Sequence, residues 1–212
     1  MIIVGGMIGI GKTTLAKILS EDLKGSLYQE DIANNPIISL VYTATEEEIE
    51  KNRYPFLSQL YFLDSKYISL KEALKTKGSI VDRSIYEDWY FAKKNMELGR
   101  INNIEMDLYE TLLHSRLKDI NEKINHQKVL MVHLEASFET IIDRILKRGR
   151  SFETSTTLID YYRFLWDGYD EWLKQHYTAD RILTINMDKF DIVENIDDRI
   201  TVLNIIKSKL ED

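Results

Sequence analysis

The chain has 212 residues, with 28 Lys and Arg against 35 Asp and Glu, a formal charge of −7 and no cysteine. That length suits one α/β domain, and 44% hydrophobic residues suffice for a buried core. The acidic balance speaks against a nucleic-acid coat or a polybasic membrane anchor; the missing cysteine excludes disulfides, thiolate zinc sites and a cysteine nucleophile.

No apolar run approaches the ~18 residues of a membrane span. Met1-Ile-Ile-Val4 lacks a basic leader, and Lys12 interrupts what would be a signal core, so a cytoplasmic protein without membrane or nucleic-acid partners is expected. Short apolar runs at Ile2–Val4, Ser26–Tyr28, Ser79–Val81, Val129–Leu134 and Ile182–Ile185 are each followed by a helical pattern. This alternation predicts a five-stranded parallel sheet flanked by helices, of the doubly wound nucleotide-binding type, as a single domain over residues 1–212.

The first run leads into Gly6-Met7-Ile8-Gly9-Ile10-Gly11-Lys12-Thr13-Thr14, and helical spacing resumes at Leu15. This is G-x-x-x-x-G-K-[ST] in its strand–loop–helix setting, the phosphate-cradling P-loop. Its glycines let backbone N–H groups converge on phosphate oxygens; Lys12 would reach the β- and γ-phosphates and the Thr13 hydroxyl would ligate Mg²⁺. The second run ends at Tyr28-Gln29-Glu30, which sets Glu30 at the carboxyl edge of the sheet, where a carboxylate can take a proton from an acceptor hydroxyl. A nucleotide acceptor would need an arginine clamp there instead.

Residues 34–76 read as a long helical stretch, too long for a simple crossover, that helps to form an acceptor pocket. Within it Phe56–Leu74 is a predicted helix in which Phe56, Gln59, Leu63, Lys66 and Leu70 follow core spacing, although two of the five are polar. Such polar residues need partners, so Gln59 and Lys66 are expected to meet a polar ligand; a shifted stripe through Leu60, Tyr67 and Leu74 would put Lys66 at the rim.

Ser79–Val81 ends in Asp82-Arg83-Ser84. Asp82 is the Walker-B-like carboxylate for Mg²⁺, and Arg83 is placed to clamp a reacting hydroxyl and phosphoryl. Ser84 and Glu87 fit a capping box. Asp88, one turn into the helix, also suits the helix dipole. A carboxylate only accepts hydrogen bonds, so Asp88 favours adenine, cytosine or guanine over thymine, whose O4 is an acceptor.

After the fourth run, Phe138–Lys147 is helical and ends in Arg144-Ile-Leu-Lys147-Arg148-Gly149-Arg150, followed by Glu153. Cations before a glycine make an ordinary helix C-terminus, yet Arg144 and Arg148 share a face and the charged run continues, as in an arginine-rich lid over residues 144–155 that neutralises a transferring phosphoryl. His114, His126, His133 and His176 show no metal-ligand spacing and read as structural; Trp166, Tyr169 and Trp172 read as core or interface residues, and Ile192–Leu210 as a packing helix.

Together these pieces resemble the deoxyribonucleoside kinase family, in particular its bacterial deoxyadenosine/deoxyguanosine kinase branch. The matches are GMIGIGKTT, the run Glu30–Pro36, Gln59-Leu-Tyr-Phe-Leu, Asp82-Arg-Ser-Ile-Tyr-Glu-Asp88, Lys147-Arg-Gly-Arg150 with Glu153, and Asp188-Lys-Phe190, in family order along nearly the whole chain. The resemblance implies phosphorylation by Mg-ATP of a deoxynucleoside 5′-hydroxyl in nucleotide salvage. Glu30 would be the base with Arg83 beside it, and Asp82 a second candidate. Tyr42 and Glu153 would hold the sugar 3′-hydroxyl; Gln59, Lys66 and Asp88 would read the base. Arg144, Arg148 and Arg150 would form the lid, and Asp188 and Phe190 would lie beside the ATP base. It also implies a dimer, either of identical chains or with a related subunit. Lys66 stands where relatives usually carry Arg, Phe152 replaces a polar residue, and an insertion, Thr43–Asn52, separates Tyr42 from the Gln59 helix. A nucleoside monophosphate kinase and a nucleotide-binding regulatory subunit are the rival readings.

Overall fold

Ile2, Ile3 and Val4 are all buried, which is what a central parallel strand covered on both faces requires. In the computed structural model, which describes residues 1–29, 35–124, 128–177 and 181–211, strand β1 (Ile2–Gly6) is the middle of a five-stranded parallel sheet. It pairs with β3 (Ile80–Asp82) on one side and β4 (Leu130–Glu135) on the other; β2 (Leu27–Tyr28) lies outside β3, and β5 (Ile182–Asn186) outside β4. The register Val4↔Asp82 and Tyr28↔Val81 brings the ends of β1, β2 and β3 to one edge, beside the point where the strand order reverses.

Alternation along β1 and β4 feeds two cores. Val4, Val132 and Leu134 face one layer, with Leu15 and Leu19 of α1 (Lys12–Asp22), Ile141 and Ile145 of α7 (Phe138–Arg148), and Val202 and Ile206 of α10 (Ile196–Glu211). Ile3 and Met131 face the other, with Leu63 and Leu70 of α4 (Tyr54–Ala73), Ile85 of α5 (Ile85–Glu97), and Tyr109 and Leu113 of α6 (Asn103–Ile124). Helices α8 (Ile159–Trp166) and α9 (Tyr169–His176) complete the covering. No helix among the described residues is long and apolar enough to cross a membrane.

The stretch expected to be helical before β3 is broken into α2 (Ile38–Thr43), α3 (Glu46–Asn52) and α4. Thr45 and Glu48 form a capping box that starts α3, and Pro55 sits in the first turn of α4, where its missing N–H costs nothing. Between them Arg53 takes φ 55°, which turns the chain back. The insertion Thr43–Asn52 therefore folds as a short excursion that lets α2 pack on α4.

Arg53 is held by a bidentate pair, with Nε and Nη2 each donating at 2.6 Å to the Glu105 carboxylate. These bonds hold the Glu105 carboxyl below its usual range, with help from the Asn102 main-chain N–H and against partial burial. A carboxyl with a depressed folded-state pKa contributes stability above its unfolded value and loses it as the pH falls through the folded one. Wild-type Tm should thus exceed that of Glu105→Gln at pH 7, and the gap should close below about pH 4. A gap that does not change with pH in melting scans would show that the pair contributes no titratable stability.

Candidate active site

Beyond Val4 the chain must leave β1 sharply. Gly6 has φ 148°, and a Cβ there would lie 2.8 Å from the Leu134 carbonyl; Gly9 has φ 84°, and a Cβ would lie 2.6 Å from Ile145 Cγ1. Glycine is required at both by backbone conformation and by crowding. The loop closes on α1, whose first turn carries no acid, so its free N–H groups present uncompensated positive potential. Lys12 is buried, with Nζ donating to the carbonyls of Gly6 (2.6 Å) and Met7 (2.9 Å).

At the end of β3, Asp82 is 2% exposed, and its Oδ2 accepts from Thr13 Oγ1 at 2.5 Å. Its Oδ1 is buried without a hydrogen-bond partner among the described residues. A hard oxygen pair of this kind, one atom on a threonine and one on a carboxylate, fits a divalent cation of the Mg²⁺ type. Arg83 has φ 70°, lines the adjoining cavity and lies 4.9 Å over the Phe91 ring. A non-glycine residue keeps such a backbone only where the surrounding structure holds it there.

That cavity, about 1080 Å³, runs from the phosphate loop (Gly9, Gly11, Lys12, Thr13) to Arg83, Asp88 and Gln59. Asp88 is 1% exposed, and Gln59 Oε1 is buried without a hydrogen-bond partner among the described residues. Tyr42, Glu153, Arg144, Arg148, Arg150, Asp188 and Phe190 line the same cavity. Burial pushes the Tyr42 hydroxyl well up; Tyr161, Tyr162 and Glu153 push it the same way and Arg83 opposes them, so Tyr42 shares one corner with Glu153 and Arg83. The Phe152 ring lies tilted against Tyr42, with centroids 5.8 Å apart.

Three residues make contacts that local spacing did not disclose. Lys66 is buried, as the Phe56–Leu70 stripe implies, but its Nζ donates to the Asp82 carbonyl at 2.6 Å, and the residue does not line the cavity. Arg144 donates to the carbonyls of Ile10 (2.6 Å) and Met187 (3.0 Å), bridging the phosphate loop to the segment after β5. Asp188 accepts from the Ser137 N–H (2.9 Å) and hydroxyl (3.0 Å), capping α7. Arg148 and Arg150 both pair with Glu153, Arg148 by a short hydrogen bond. Glu30 lies outside the described residues.

Cavity walls that sequence reasoning missed include Ser58, Phe62, Phe91 and Asn95. Their signal was available: Asn95 lies seven residues after Asp88 and Phe62 three after Gln59, each on the same helix face as its predecessor. Of the histidines, His126 lies outside the described residues, and His133 has two carboxylates within reach. His133 Nε2 lies 2.9 Å from Asp170 Oδ1 and 3.6 Å from Glu135, and Lys174 lies 3.6 Å from Glu135, so these side chains form a partly buried polar cluster.

The chain matches the family described as deoxynucleoside kinase over residues 2–211. It is 36% identical over 215 residues to a deoxyguanosine kinase of Lactobacillus johnsonii, covering 100% of this chain and 93% of that one. It is 34% identical over 215 residues to a deoxyadenosine kinase of Lactobacillus acidophilus, covering 100% and 97%. Among solved structures, deoxyadenosine kinase from M. mycoides with bound dATP superposes with a TM-score of 0.76 at 25% identity, covering 100% of this chain and 99% of that one.

Proposed function

Because this chain belongs to the deoxynucleoside kinase family, we propose that it transfers the γ-phosphoryl of ATP to the 5′-hydroxyl of a purine deoxynucleoside, with deoxycytidine as a further acceptor. One observation carries the reading: a single cavity joins a phosphate loop to a buried wall in which Arg83, Asp88 and Gln59 stand together. Relatives named for deoxyguanosine and deoxyadenosine support the purine preference.

In this reading the loop N–H groups, Lys12 and the arginines of the 144–155 lid hold the triphosphate. Thr13 and Asp82 would hold Mg²⁺, which when bound neutralises charge on the phosphates. Glu30, with Asp82 as the second candidate, removes the proton from the 5′-hydroxyl, and Arg83 stabilises the charge that develops on the transferring oxygen. Tyr42 and Glu153, neighbours in one corner, are suited to the 3′-hydroxyl. Gln59 offers a buried acceptor and Asp88 a second, matching amino and ring N–H donors of adenine, guanine or cytosine. Lys66, whose ammonium holds the Asp82 carbonyl, would then act by positioning Asp82. Asp188 and Phe190 belong on the ATP-base side. A cytoplasmic enzyme acting as a dimer, of identical or related chains, completes the reading; exposed Leu57 and Ile68 on α4 and Ile104 and Leu108 on α6 favour the dimer.

The test is an assay of the purified chain with Mg-ATP and, separately, the four deoxynucleosides and their 5′-monophosphates. Deoxyadenosine, deoxyguanosine or deoxycytidine should be phosphorylated at least tenfold more efficiently than thymidine, roughly the discrimination that two mispaired buried acceptors impose. Phosphate transfer to monophosphates alone would establish the monophosphate-kinase reading, and thymidine used equally well would overturn the role of Asp88.

A further inference from the structure

Glu87 occupies the N3 position of α5, where a capping box accepts Glu or Gln equally. Its surroundings ask for more than a cap. The residue is 0% exposed, and both carboxylate oxygens accept hydrogen bonds. Oε2 accepts from Ser84 N–H at 2.7 Å; Oε1 accepts from Gly6 N–H at 3.2 Å and from the Tyr169 hydroxyl at 2.6 Å. The β1–β3 ladder ends with Val4↔Asp82 and the Arg83 N–H donating to the Val4 carbonyl. Past that rung the two chains diverge, one into the phosphate loop and one into α5. Glu87 spans the gap by accepting an N–H from each, and Tyr169 at the start of α9 fixes the carboxylate from the far side, its hydroxyl also lying 3.1 Å from Gly6 N.

We propose that Glu87, held by Tyr169, is a positioning residue that fixes the phosphate loop relative to Asp82 and Arg83, so that donor and acceptor groups meet in line. The role rests on the phosphoryl-transfer reading above. It follows from chemistry that only a carboxylate of this length supplies: Asp is too short, and Gln can accept on one oxygen only, so its amide must face one of the N–H groups it should bind. Burial of a carboxylate is tolerated because donors satisfy it, and charge-assisted bonds from main-chain N–H groups are strong and directional. Geometry at a reacting centre is sensitive to small displacements, so losing this span should act on turnover more than on acceptor affinity.

The experiment compares wild type, Glu87→Gln, Tyr169→Phe and the double variant in steady-state kinetics with Mg-ATP and the preferred deoxynucleoside, alongside thermal melts and ATP affinity from fluorescence titration. Glu87→Gln should lower kcat about tenfold and weaken ATP binding several-fold while changing the deoxynucleoside KM by less than about twofold. Tyr169→Phe should lower kcat about threefold, and the double variant should be little worse than Glu87→Gln, because the two act as one unit. A capping role alone predicts unchanged kcat in Glu87→Gln, and that result overturns the proposal, as do strictly additive losses. If wild type phosphorylates no deoxynucleoside, the functional reading fails by itself; the span is then decided by ATP affinity, which must fall in Glu87→Gln and which overturns the proposal if unchanged.

Discussion

Asp82→Asn should lower kcat about 10²–10³-fold while leaving the melting temperature nearly unchanged. The side chain keeps its size, and the buried contact that ties this corner together, from Lys66 Nζ, goes to the main-chain carbonyl of residue 82 and not to its carboxylate. What changes is chemistry. Asp82 presents one oxygen to the Thr13 hydroxyl and a second, buried oxygen with no partner among the described residues. An amide keeps one acceptor and turns two donors toward the place where a cation or a proton would be received. The dependence of kcat on Mg²⁺ separates the two candidate roles. If Asp82 holds the metal, raising Mg²⁺ should recover much of the lost activity, because weakened affinity is offset by mass action. If Asp82 is the base, the loss persists at every Mg²⁺ concentration. Turnover within about twofold of wild type would remove Asp82 from the mechanism.

How far this site was legible in the sequence depends on the range of the interaction. The phosphate loop, the strand ends and the capping boxes are patterns of adjacent residues, so Gly6–Thr14, Asp82-Arg83 and Ser84/Glu87 could be read directly and meet at one sheet edge as topology requires. The burial of Lys66 was likewise implied by helical spacing, but its partner was not: the choice between a ligand and the Asp82 carbonyl, 16 residues away, is made by packing of α4 on β3. Arg144 is a similar case, an expected lid cation whose guanidinium bonds two loop carbonyls. Tyr42 was separated from Gln59 by an insertion, and its place on the same cavity depends on Arg53 adopting a left-handed turn that no glycine announces. The second half of Glu87's environment, Gly6 and Tyr169, comes from positions 81 and 82 residues distant, which local pattern cannot express.

Glu30→Gln should lower kcat about 10²–10⁴-fold with ATP affinity unchanged, the largest effect expected at any single position. The glutamine is nearly isosteric and still accepts a hydrogen bond from an alcohol, so acceptor binding should survive; what it cannot do is carry away the proton. Tyr28, the last residue of β2, pairs with Val81, one residue before Asp82, so β2 ends at the sheet edge where Asp82 and Arg83 stand. At that edge Arg83 has a left-handed backbone and lies over the Phe91 ring. The acid limb of the pH–rate profile supplies the sharper test. If Glu30 is the base, wild-type kcat should decline toward acid pH and Glu30→Gln should lose that limb of the profile. Should that variant keep both wild-type turnover and the acid limb while Asp82→Asn resists rescue by Mg²⁺, proton removal passes to Asp82, and Glu30 is left to orient the hydroxyl without ever receiving its proton.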